Sequence, residues 1–76
     1  MTQTFTATIW REDDAYVALC PELDIPSQGD SVEEARANLK EAVEGFFEVA
    51  DRSEIETRLN REIYISSMEV AIGETA

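Results

Sequence analysis

The residues that could do chemistry in this chain are few. Cys20 is its single cysteine, histidine is absent, and seventeen Asp and Glu face six Lys and Arg. A nucleophilic thiol needs a lowered pKa and usually a neighbouring base. Cys20 has no histidine to serve it and no lysine or arginine close in sequence. It reads as a small strand-end residue ahead of a turn, a place that free cysteines commonly fill. Paired carboxylates can work as acid and base or hold magnesium. With so many present, some pair always looks suggestive, and a solvated surface is the simpler account. Glu12-Asp13-Asp14 lacks the ligand spacing of a calcium loop. The glycines at 29, 45 and 73 stand alone and form no phosphate-binding loop. One thiol without imidazole also argues against zinc. The expectation is a protein with no catalytic residue, no metal and no cofactor.

Charge says more about partners. The net charge is −11. Nucleic acids are bound largely through lysine and arginine on phosphates, and no basic cluster exists to do this. Direct binding to nucleic acid or to an anionic membrane is therefore not expected. A basic protein would instead be attracted at long range. The plainer alternative is that the acidity serves solubility or suits a salty cytoplasm. No stretch approaches the roughly 20 apolar residues of a membrane span. The start, MTQTFTATIWREDD, has no basic lead or long apolar run, so no signal peptide is expected. A lone cysteine fits a reducing cytoplasm.

Trp10 is the candidate contact residue of a different kind. From Thr4 to Arg11 the residues alternate, with Phe5, Ala7 and Ile9 on one side and Thr4, Thr6, Thr8 and Trp10 on the other. Trp10 so falls on the face away from the apolar set. It forms either a half-exposed cross-strand pair, for instance with Tyr16, or an interface anchor, a role in which tryptophan and tyrosine are over-represented. A small domain with two apolar sheet faces must cover the second one. Tyr64, Met68 and Val70 could join that patch.

The elements that must position these residues follow from pattern. Glu12 to Asp14 is a polar turn, AYVALC a second strand, and so short a connection favours an antiparallel hairpin. Pro21 and Pro26 interrupt the next stretch. IPSQG can hold a short third strand, placed at an edge by its proline. Gly29 offers a positive φ just before the helix. Ser31 with Glu34 has capping-box spacing, and Val32, Ala35, Leu39, Ala42, Val43, Phe46, Phe47 and Ala50 form one helical stripe. Gly45 is out of place there, and a close backbone approach would account for it. SEIE repeats the capping spacing, with Ser53 as the start of a short helix from Glu54 to Leu59; one continuous helix is the alternative. EIYISSMEVAI, with Ile63 to Ile72, returns to strand character. The expected fold is one α+β domain over residues 1–76: an antiparallel sheet of three to four strands in the order β-β-(β)-α-β, with one long helix across a face. A chain of 76 residues has a small core, hiding only ~60–65% of its unfolded surface. With disulfides and zinc excluded, self-association into a dimer or tetramer is the expected support.

The stretch YVALCPELDIPSQGDSVEEARANLKEAVEGFFE resembles the HicB-like antitoxin family. The likeness lies in Tyr16 to Leu19, Pro21 to Leu23, Gln28 to Ser31, Glu33 to Ala35 and Asn38 to Ala42, in order and at tight spacing. With the first strand it covers roughly residues 4 to 50. The resemblance implies a partial RNase H-like or dsRBD-like fold. It also implies a partner, a small basic dsRBD-like toxin that cleaves mRNA with a histidine and is neutralised by being sequestered. No catalytic residue carries over. Many such antitoxins add a DNA-binding C-terminal region, and the chain stops soon after its last expected strand. Autoregulation by direct DNA binding is therefore not expected. The candidate partner-facing residues are Trp10, Tyr16, Glu22, Asp24 and Asp30. The alternative function is a self-associating interaction module with no toxin.

Overall fold

A computed structural model describes residues 2–73. Three strands, β1 (Thr8–Glu12), β2 (Ala15–Cys20) and β3 (Ile25–Gly29), form an antiparallel sheet in the order β1-β2-β3. Two helices follow, α1 (Val32–Val49) and α2 (Arg52–Leu59), so the class is α+β. Asp13 and Asp14 close the first hairpin between the paired Glu12 and Ala15. Asp13 takes a φ of 54°, a left-handed conformation that a short polar side chain tolerates. Pro21 ends β2, the Leu23 N–H donates to the Cys20 carbonyl at 3.3 Å, and Asp24 turns the chain with φ 56°.

Strand pairing begins at Thr8, opposite Leu19, later than the alternation from Thr4 suggests. The reason is the partner: β2 stops at Cys20, and Pro21 brings no N–H to lengthen the ladder.

α1 starts as the sequence requires. The Ser31 Oγ accepts from the Glu34 N–H at 3.1 Å. The Glu34 carboxylate reaches back to the Asp30 N–H at 3.0 Å, one residue before the cap. Its apolar stripe packs on β3 and β2 and only lightly on β1. Ala18, Cys20, Leu23, Ala35 and Leu39 form the buried core, ringed by Phe5, Ile9, Tyr16, Ile25, Val43, Phe46 and Phe47. Phe47 stacks on Phe5 at 5.8 Å between ring centres and meets Phe46 edge-on at 5.3 Å.

Two glycine expectations are corrected. Gly29 has no positive φ. A Cβ there would lie 2.6 Å from the Ala35 backbone nitrogen, so glycine lets α1 approach the end of β3. Around Gly45, in contrast, a Cβ would meet nothing within 4 Å. The second helix starts earlier than expected, because Asp51 and not Ser53 caps it, accepting from the Glu54 N–H at 2.9 Å. The Glu54 backbone amide and the Ser53 hydroxyl hold the Asp51 carboxyl below the usual range.

The fourth strand does not form. Residues 61–73 lie outside any helix or strand and are exposed throughout. Strand propensity becomes a strand only when a ladder partner is present, and this segment has none among the described residues.

Candidate functional site

Residues directly opposite in an antiparallel ladder share a face, so the register sorts the sheet in two. Ile9, Ala18 and Ser27 line one face, with Tyr16, Gly29, Cys20 and Ile25. That face lies under α1 and holds the core. The other carries Thr8, Leu19 and Pro26 in one row, Trp10, Val17 and Gln28 in the next, then Glu12 and Ala15. Neither helix packs on this second face.

Trp10 is 41% exposed at its centre. Its cross-strand neighbour is Val17. The expected pairing with Tyr16 is corrected, because Tyr16 is directed to the opposite face and packs against the core. Beside the Trp10 row, Glu12, Asp13, Asp14 and Asp30 line a shallow depression of about 410 Å³ together with Ala15, Val17 and Gln28. Trp10 and Asp30, far apart in sequence, thus flank the same Val17–Gln28 pair. The hairpin turn and the β3–α1 connection supply the four carboxylates because both turns fall at the same end of the sheet.

The other candidate residues stand elsewhere. Asp24 is exposed at the far end of β3, about 20 Å along the strand from Asp30. Glu22 is occupied within the chain. It accepts from the Thr6 N–H at 3.0 Å and the Thr6 hydroxyl at 2.7 Å, and the Cys20 thiol lies 3.6 Å away. Partial burial pulls its pKa upward, but the hydrogen bonds from Thr6 outweigh this and hold the carboxyl below the usual glutamate range. Val17 and Leu19 are the members that sequence reasoning missed. The signal was present, since both alternate sets of AYVALC are apolar and a strand of that kind has apolar side chains on both faces.

Cys20 is buried, and burial pushes its thiol pKa up. The nearby Glu22 charge adds to this, while the Leu23 backbone amide pulls the other way. The result is a protonated thiol without nucleophilic character. Among the described residues no group of three or more ligating side chains could hold a metal ion, and no helix is long and apolar enough to cross a membrane.

A second concavity, about 660 Å³, runs between residues 2–7 and one flank of α1. Phe5, Leu39, Val43 and Phe47 make it apolar, and Arg36 and Lys40 also line it. Compared with known proteins, the chain matches no family model, no curated protein and no solved structure.

Proposed function

We propose that this protein is an antitoxin-like binding protein of the HicB-like kind, which captures and neutralises a small basic mRNA-cleaving toxin of the HicA type. The observation that supports it is the helix-free sheet face, where an apolar patch of Trp10, Val17 and Leu19 runs up to the four carboxylates of Glu12, Asp13, Asp14 and Asp30. An apolar anchor beside a charged rim is how a tight protein interface divides its labour: the anchor gives affinity, the rim steers the encounter and selects its partner. A net charge of −11 acts in the same direction.

Tyr16 contributes by supporting the sheet beneath this face, and Glu22 by fixing the N-terminal segment. Asp24 adds charge at the far turn. Catalysis belongs to the partner in this reading.

The test is capture from the native host with the tagged full chain, washed at low and then high salt. A small basic protein should be recovered at low salt and weakened at high salt, since exposed charges are screened. Trp10→Ala should lose it in both washes, while Asp30→Asn should lower recovery chiefly at low salt. Absence of any basic protein from both washes would overturn the reading.

A further inference from the structure

Residues 62–72 form an exposed apolar arm. Tyr64 and Met68 are 85% and 86% exposed, and Ile65, Val70 and Ile72 are also largely in solvent. The arm stands off the body: the radius of gyration is 15.4 Å, against about 11 Å for a compact chain of this length. Tyr64, Met68, Val70 and Ile72 fall on one alternate face, while Ser67 and Glu69 stand among Ile63, Ile65 and Ala71 on the other, the composition of a strand covered on one side.

The sheet has one edge fit to receive it. On β3, Pro26 lacks an N–H and sits opposite Leu19, so its nitrogen faces away from β2. The carbonyl of Gln28, two residues on, accepts from the Asn38 side-chain amide at 2.8 Å. The β3 edge is thereby blunted twice. The same alternation directs the backbone groups of Thr8, Trp10 and Glu12 toward β2, in keeping with the Thr6 N–H pointing inward to Glu22. The groups of Ala7, Ile9 and Arg11 are left along the free edge of β1. No proline interrupts that edge, and α1 packs on it only lightly.

We propose that two copies of the chain exchange these arms, each laying residues 62–72 as a fourth strand along the β1 edge of the other. The helix-side residues of the added strand then fill the apolar concavity between residues 2–7 and α1. A single chain leaves its own edge unused, although the edge and the arm are both present. Charge selects the occupant. Residues 2–10 contain no charged side chain, and between Ile63 and Ile72 there is only Glu69. A basic partner is drawn to the acidic end of the sheet, not here, whereas these two stretches are where strongly acidic copies can meet without repulsion. The four apolar side chains of one alternate face on each arm, at roughly 100 Å² apiece, together with the backbone edges covered in both directions, come to the lower end, about 1,200 Å², of a stable interface. Reciprocal exchange is two-fold and closed, so neither arm nor edge is left to recruit further copies. The inference does not rest on the proposed toxin partner, because it uses the free edge of β1 and not the acidic depression, and needs no second protein.

The test is sedimentation of the purified full chain from micromolar to submillimolar concentration at physiological salt, with amide exchange over residues 62–72. The expected result is a dimer at the upper end, with arm amides protected in step with dimerisation. Combining Ile65→Asp with Val70→Asp alters only exposed arm residues, so the body stays folded, and dimerisation should weaken about tenfold or more. Ala7→Pro removes one donor from the free edge and should have the same effect. A monomer at every concentration would overturn the proposal, and so would a dimer unaffected by the arm substitutions. Arm amides protected in a monomer, or protected only when a basic protein is added, would overturn it as well.

Discussion

The Glu22 carboxylate takes the place of a strand partner for Thr6, accepting both its backbone N–H at 3.0 Å and its hydroxyl at 2.7 Å. Pro21 has just ended β2, so this side chain carries the N-terminal segment past the point where the ladder stops. Phe5 is held next to Phe47 as a result.

Removing the carboxylate should release that segment. Glu22→Ala is expected to cost about 1–3 kcal/mol, the scale of lost hydrogen bonds to a charged group. Urea unfolding of the two proteins side by side measures it, and an unchanged midpoint would show that Thr6 does not depend on Glu22.

The same contact makes stability pH-dependent. Glu22 titrates lower in the folded protein than the ordinary 4.5. The unfolded chain therefore binds the proton more readily, and the contribution of Glu22 is complete above the ordinary value and lost as pH falls through the folded one. Thermal melts over an acid series should show a shallower decline for Glu22→Gln than for the parent. Parallel declines would remove Glu22 as the cause.

Gly29 and Gly45 should respond to alanine in opposite directions. At Gly29 the new methyl would press on the backbone of Ala35 at 2.6 Å and of Glu34 at 2.9 Å, which the helix holds in place. Gly29→Ala is expected to destabilise by about 1–3 kcal/mol, as overpacking does.

At Gly45 there is open space, and the glycine sits inside α1. Gly45→Ala should stabilise by about 0.5–1 kcal/mol through helix propensity alone. Calorimetry of both variants checks the pair, and equal signs would contradict the packing described.

Cys20 provides a probe of the whole body. The thiol is 1% exposed, in the core cluster and at the wall of the concavity between residues 2–7 and α1, so labelling requires the protein to open. Labelling by a thiol reagent should be slow in the native protein and quicken in Gly29→Ala in proportion to its lost stability. Rapid labelling at neutral pH in the parent would mean that Cys20 opens locally.

Much of this was legible in the residues. Pro21, Ser31 and Glu34 place the end of β2 and the start of α1, and Pro26 the edge strand, through rules that reach only a few residues along the chain, and the structure agrees with them. The site was less legible. Trp10 was visible as an odd member of its alternation, but its neighbours Val17 and Gln28 come from ladder register, which two strands decide together. Glu22 looked like a surface acid because nothing nearby in sequence reveals that Thr6 would need it.

What the sequence determined by itself was the local: a hairpin, a capped amphipathic helix, and a lone cysteine without histidine in a chain of net charge −11. Tertiary structure alone decided the rest. It assigned Trp10 and Tyr16 to opposite faces, brought Asp30 beside the first hairpin turn, and put the close approach expected at Gly45 at Gly29 instead. It also left Ile63 to Ile72 without a ladder. Propensity is a property of a segment, while a strand, a face and a close approach are properties of two segments at once.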